Sequence, residues 1–192
     1  KKNIYPTPVI GGVGLIKKLS SPINHNFKKD NSNLILIGKT FGHLEQSCFL
    51  KENYSFTDGM PPEVNLLNEK NNGENLLKLI DKNLILSSHD VSSGGLITAI
   101  SEMALSSNFG AKIYKPKKLT NLFKYFFGED QARYIVEVGT NNLSKVEKML
   151  NENNIYYENI GFTQKDHLEI EDELKISIKD LFKINNEWYN NY

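Results

Sequence analysis

The chain has 192 residues, 23 of them basic and 23 acidic, a formal net charge of zero and one cysteine, Cys48. That length holds one domain, or one domain plus a piece of another, around a sizeable core. Balanced charge argues against a nucleic-acid binder with a basic stripe, no apolar run nears the roughly 20 residues of a membrane helix, and a lone cysteine forms no internal disulfide, which fits a reducing cytosol. A small anionic substrate stays open, because its site needs only a few local charges.

The expected elements run as follows. Residues 1–17, with Pro6-Thr7-Pro8-Val9-Ile10-Gly11-Gly12-Val13-Gly14-Leu15-Ile16, are extended and read as the end of a preceding domain. No signal-peptide pattern opens the sequence, which also lacks an initial Met and reads as a piece of a longer protein. Residues 18–32 are polar and read as a linker, and residues 33–192 as one domain. Leu34-Ile35-Leu36-Ile37-Gly38 is a short apolar strand of the buried kind. Gly42-His43 opens a helix to about Lys51, and Asp58-Gly59-Met60-Pro61-Pro62 is a turn. A helix follows with Val64, Leu66, Leu67, Leu76, Leu77 and Ile80, interrupted near Gly73.

Leu84–Ser87 is a second buried strand, and Gly94-Gly95 leads into an amphipathic helix with Leu96, Ile97, Ile100, Met103, Ala104 and Leu105. Phe109-Gly110-Ala111 ends that helix and Lys112–Tyr114 is a strand. Leu119–Phe127 is helical, Ala132–Val138 a strand, Leu143–Leu150 a helix and Ile155–Ile160 a strand. A hairpin lies within Leu168–Ile178, and Ile178–Tyr189 closes as a helix. Helices alternate with strands, some in hairpin-like pairs, so the fold class is α+β, layered α/β/α, with a mixed sheet.

The segment Ser87-Ser88-His89-Asp90-Val91-Ser92-Ser93-Gly94-Gly95 carries the clearest chemistry. A strand end, a Gly-rich turn and a helix N-terminus offer free N–H groups and a positive dipole end to a phosphate. Asp90 suits Mg²⁺, a hard ion that prefers oxygen ligands, and Ser92 can donate to a phosphate oxygen. The blander reading makes Ser92 or Ser93 an N-cap and Asp90 a turn residue, and such short turns are common. In Gly128-Glu129-Asp130-Gln131-Ala132-Arg133, a carboxylate paired with Arg133 would pin a turn; alternatively Glu129 or Gln131 approaches a ligand. Gly38-Lys39-Thr40 lacks the upstream glycine of a phosphate-binding P-loop, since Asn33 stands there. His43 reads as a cap or surface residue. Gly11-Gly12-Val13-Gly14 lacks the spacing of a dinucleotide site.

Six segments in order carry a resemblance: Pro6–Gly14, Ile37-Gly38-Lys39-Thr40-Phe41-Gly42-His43-Leu44, Pro61-Pro62-Glu63-Val64, Asn72-Gly73, His89–Leu96 and Phe127–Tyr134. Together they resemble the C-terminal part of the phosphoribosylformylglycinamidine synthase family, small bacterial type, within the aminoimidazole ribonucleotide synthetase-like superfamily. The resemblance implies a ligase that converts formylglycinamide ribonucleotide, ATP and glutamine-derived ammonia to the amidine, ADP and phosphate. It implies Mg²⁺ and ATP as cofactors, and a glutaminase subunit and a small accessory subunit as partners. Asp90 is then the metal ligand, Ser92, Gly94 and Gly95 hold nucleotide, and His89, Glu129, Gln131 and Arg133 support them. The family's catalytic His lies in N-terminal parts beyond this chain, so no catalytic residue is expected here. Ser93 departs from the family's usual Asp at that position. The alternatives are a selenophosphate synthetase-like or kinase-like relative, and a non-catalytic structural half of the synthase.

Overall fold

The computed structural model describes residues 9–15, 22–118 and 121–190. Among the described residues, seven strands form one sheet: β1 (Asn33–Ile37), β2 (Ser87–Asp90), β3 (Phe109–Ile113), β4 (Tyr134–Val138), β5 (Tyr157–Lys165), β6 (His167–Ile170) and β7 (Leu174–Ser177). Their order is β2-β4-β1-β5-β3-β6-β7. The β3–β6 pair is parallel and the other five pairs are antiparallel, so the sheet is mixed as expected. Six α-helices of the described residues accompany it: α1 (Cys48–Tyr54), α2 (Leu66–Asp81), α3 (Gly95–Leu105), α4 (Leu122–Phe127), α5 (Leu143–Glu152) and α6 (Ile178–Asn190). Among the described residues, no helix is long and apolar enough to cross a membrane.

Strand alternation splits the core between the two faces of the sheet. Leu34, Leu36 and Ile135 pack with Leu96, Ile100 and Met103 of α3, Phe126 of α4 and Leu181 of α6. Ile35, Ile37, Val136 and Val138 pack with Leu79 of α2 and with Val146 and Leu150 of α5. Continuous apolar runs such as Leu34–Ile37 follow from this burial on both faces. The layered α+β architecture is therefore the one expected.

Several boundaries differ from expectation for local reasons. The helix expected from Gly42 begins at Cys48, capped by Ser47, whose Oγ accepts from the Leu50 N–H. Upstream, a buried carboxylate claims the amides of residues 41–43, and Gly42 and Gln46 take positive φ. The helix α2 passes through Gly73 unbroken, because Asn72 beside it donates to the Ala132 carbonyl and Leu79 is packed in the core. The second strand is Ser87–Asp90 rather than Leu84–Ser87, since its ladder to β4 runs from Ser87↔Glu137 to Asp90↔Tyr134. Phe109 and Gly110 belong to β3, not to a helix end, and the backbone of His167 lies so close to Gly110 that no Cβ fits. The helix expected over Leu119–Phe127 covers Leu122–Phe127, with Asn121 as N-cap; Leu119 and Thr120 lie outside the described residues. Val9, Ile10, Val13 and Leu15 are exposed and residues 9–15 form no strand, while residues 1–8 and 16–21 lie outside the described residues.

Within the segment expected to be a linker, Ile23 already packs against the core. Phe27 is buried in the α3 side of the core. The fully buried Glu137 carboxylate accepts the N–H groups of Lys28 at 2.8 Å and Lys29 at 3.0 Å, and the Ser87 hydroxyl at 2.9 Å. One side chain thus joins this segment, the edge strand β2 and β4. We predict that Glu137→Ala, which leaves these donors unsatisfied, costs about 3 kcal/mol in urea denaturation and removes hydrogen-exchange protection at the Lys28 and Lys29 amides. Unchanged protection there would refute the anchoring role.

Candidate functional site

The site is built around the turn that joins α4 to β4. Asp130 is buried, and its carboxylate accepts the N–H groups of Phe41 at 3.0 Å, Gly42 at 2.9 Å and His43 at 3.1 Å. Glu129 reaches the other way. One of its oxygens accepts the N–H of Cys48 at 2.8 Å and that of Gly94 at 2.8 Å. Arg133 is the largest fully buried side chain; it donates to the carbonyls of Asp130 at 3.1 Å and Gly128 at 2.5 Å, and to the Thr40 hydroxyl at 3.2 Å. Burial pulls its guanidinium below the usual range, and the Asp130 carboxylate opposes that shift. The backbone around it is equally constrained. Gly38 takes φ +94°, with the Ala132 carbonyl where a Cβ would sit, and the Ala132 carbonyl also accepts from the Asn72 amide at 2.8 Å.

Strand β2 ends against this turn. Asp90 is paired with Tyr134, and the Val91 N–H donates to the Arg133 carbonyl at 2.9 Å. Asp90, Ser92, Gln131 and Arg133 therefore line one small pocket of about 170 Å³, together with Glu69 of α2 and Tyr134. Four of the expected site residues are thus brought together. The Asp90 side chain is 64% exposed, available for a ligand. His89 sits beside it, with Nδ1 3.2 Å from an Asp90 oxygen and Nε2 3.0 Å from a Glu102 oxygen on α3.

The two glycines have separate tasks. Gly94 is the N-cap of α3 at φ +81°, a left-handed conformation that glycine adopts without strain. Its N–H, expected to be free for a phosphate, is engaged by Glu129. Gly95, at φ +73°, faces the backbone of Phe126–Gly128, within 2.8 Å of where a Cβ would be. That contact seats the start of α3 on the same turn. Glu69 and Tyr134 were not legible as site residues: one is an ordinary helix acid, the other a strand aromatic, and only the β2–β4 register and the course of α2 bring them to the pocket. Asn72 carried a sequence signal, a polar side chain on the buried face of α2.

Among the described residues, no group of three or more His, Cys, Asp or Glu side chains gathers to hold a metal. The pocket does offer hard oxygen donors. Mg²⁺ is commonly held by one or two carboxylates, with water and substrate phosphate completing its shell, and Asp90 fits that pattern.

A larger groove of about 960 Å³ opens at the same end of the sheet, beyond Thr40. Its wall carries a fixed network: the hydroxyls of Tyr156 and Tyr125 donate to the two oxygens of Glu158 at 2.5 and 3.1 Å. The hydrogen bond to Glu158, reinforced by partial burial, pushes the Tyr156 hydroxyl from 10 up to about 12. Burial, then the Glu158 charge, also raises Tyr125.

Comparison with known proteins places these features in a family. The family model "AIR synthase related protein, C-terminal domain" matches residues 29–173. The phosphoribosylformylglycinamidine synthase subunit PurL of Pelagibacter ubique is 48% identical over 189 residues, covering 98% of this chain and 26% of that protein. The chain spans about a quarter of the length of such curated relatives. Among solved structures, Thermotoga maritima PurL complexed with FGAR superposes with a TM-score of 0.66 at 14% identity, covering 83% of this chain and 29% of that one. The same protein complexed with ATP gives 0.61 at 14% identity, covering 83% and 27%. At these identities the superpositions speak to the fold.

Two outcomes follow. Asp130→Asn removes one carboxylate acceptor from three amides, and we expect it to cost about 2 kcal/mol in urea denaturation and to speed exchange at Phe41, Gly42 and His43; unaltered exchange would contradict the pinning role. For the Tyr156 phenol the sign is fixed: its contribution to stability is complete below pH 10 and fades as pH rises towards about 12. Absorbance titration should therefore show one fewer late-ionising tyrosine in Tyr156→Phe than in the wild type, and ionisation of Tyr156 at pH 10 would refute the network.

Proposed function

The chain belongs to the AIR synthase related C-terminal domain family, and on that premise we propose that it is the C-terminal part of a phosphoribosylformylglycinamidine synthase synthetase subunit. The whole enzyme would be a cytosolic ATP-dependent carbon–nitrogen ligase of purine biosynthesis. It would convert formylglycinamide ribonucleotide, ATP and ammonia to formylglycinamidine ribonucleotide, ADP and phosphate. ATP would activate the amide oxygen as a phosphate ester, and ammonia would displace that phosphate. A glutaminase subunit and a small accessory subunit would be its partners. Residues 1–17 would end the preceding N-type domain, 18–32 would lead in, and 33–192 would form the C-type domain. The 48% identity to a PurL subunit along almost the whole chain supports this reading over the selenophosphate synthetase-like and kinase-like alternatives.

The observation that carries the site assignment is the convergence of the β2 end with the Gly128–Arg133 turn, which leaves Asp90 and Ser92 exposed at the N-terminus of α3. Asp90 would hold Mg²⁺, which when bound with nucleotide neutralises phosphate charge. The Ser92 hydroxyl would donate to a phosphate oxygen. Gly94 and Gly95 would present the positive end of α3 to it. His89 would orient the Asp90 carboxylate from behind, and Gln131 would close the rim. Arg133 is fully buried, and three of its five N–H donors go to the Asp130 and Gly128 carbonyls and to Thr40; its part is to keep the turn in place.

One observation favours an auxiliary over a catalytic role for this site. Glu129 already fills the anion position at the Gly94 N–H. A phosphate seated there would have to displace a carboxylate that also holds Cys48, so the nucleotide would lie towards Asp90 and Ser92. No side chain of this chain is assigned to the bond-making step.

Two measurements test the proposal. The 192-residue chain, given ATP, ammonia and formylglycinamide ribonucleotide, should form no amidine; turnover by the chain alone would overturn the assignment of chemistry to the remainder of the subunit. In the complete subunit, Asp90→Ala should weaken Mg-nucleotide retention about tenfold or more while leaving thermal stability nearly unchanged, because the side chain is largely exposed. Equal nucleotide retention in wild type and variant would show the turn to be purely structural.

A further inference from the structure

The large groove beyond Thr40 plays no part in the assignment above. Its 960 Å³ falls in the size range of small-molecule sites. Two kinds of group converge on it. Lys117 and Lys118 are exposed and have no ion-pair partner among the described residues, and Lys39 lies over the Tyr156 ring with Nζ 5.5 Å from its centroid. Lys115, by contrast, is spent on Glu173 at 2.8 Å. The other kind is aromatic. Tyr114 is 40% exposed at the rim, and Tyr156 is clamped by Glu158 so that its ring cannot swing away.

Two acids line the groove: Glu158, both of whose oxygens are covered by phenol hydroxyls, and Glu171, whose charge acts on Lys115. The Arg133–Thr40 hydrogen bond separates this groove from the Asp90 pocket and fixes the loop that carries Lys39. Exposed cations at the rim beside a hydrogen-bonded tyrosine suit a ligand with a phosphate at one end and a planar ring at the other. Lysines bind phosphate as point charges, and a tyrosine face stacks on a ring.

We propose that this groove is a second ligand site, taking a mononucleotide-like phosphomonoester with its phosphate at Lys39, Lys117 and Lys118 and its ring against Tyr156 or Tyr114. It is independent of the Asp90 assignment, and the two stand or fall separately.

Amide NMR of the 192-residue chain titrated with AMP tests it. The expected result is saturable shifts at residues 39–41, 114–118 and 156–160, with residues 90–92 and 131 unmoved. Adenosine should bind about tenfold or more weakly, as should AMP to the Lys117→Met, Lys118→Met double variant, whose exposed substitutions leave the fold intact. Shifts confined to residues 90–92 and 131 would overturn the proposal and point to the other pocket. Inorganic phosphate binding as tightly as AMP would also overturn it, as would no saturable shift at millimolar AMP.

Discussion

Everything near the proposed site rests on three charged side chains within five residues, Glu129, Asp130 and Arg133. Two of them are buried, and buried charges persist in a fold only when their hydrogen-bonding capacity is met. Asp130 meets its need with three backbone amides of the loop after β1. Arg133 meets its own with two carbonyls of the same turn and the Thr40 hydroxyl. Glu129 ties in the starts of α1 and α3. Two loops that are distant in sequence, β1–α1 and β2–α3, are thereby fixed to one turn, and the turn is fixed to β4. Their mutual Asp130–Arg133 separation of 4.0 Å is loose for an ion pair, so backbone hydrogen bonds, more than direct charge pairing, set the geometry.

This arrangement explains why the site is shaped before any ligand arrives. Asp90 and Ser92 are held at the sheet edge by β2–β4 pairing and by the Val91 hydrogen bond. The sheet edge is itself backed by Glu137, which fastens the incoming segment to β2. The same turn also divides the end of the sheet into two concavities with different chemistry. One is small and carboxylate-bearing, suited to a hydrated metal with phosphate. The other is wide, lysine-rimmed and floored by clamped tyrosines.

Much of the fold was legible in the sequence. Apolar runs and the α3 periodicity located strands and helices because burial on two faces of a sheet leaves a strong pattern. The boundaries that shifted did so where a distant partner overrode local preference: Asp130 captured the amides of residues 41–43, and pairing with β4 slid the second strand to Ser87–Asp90. The Asp90–Ser92 turn was legible as a candidate, and its neighbours Gln131 and Arg133 came with the Gly-Glu-Asp-Gln turn. The capture of the Gly94 N–H by Glu129 was not, because residues 35 positions apart meet only through tertiary structure. Nor was the Tyr125–Glu158–Tyr156 network, whose members carry no signal by spacing.

The account's central claim is that Asp90 completes a metal shell only in company with nucleotide phosphate. Crystals of the complete subunit soaked in Mn²⁺, with and without ATP, would test it by anomalous diffraction. The account predicts a manganese peak at about 2.2 Å from an Asp90 oxygen when ATP is present, and none at that position without it. Nucleotide bound at Ser92 with no metal at Asp90, or manganese at Asp90 regardless of ATP, would contradict it.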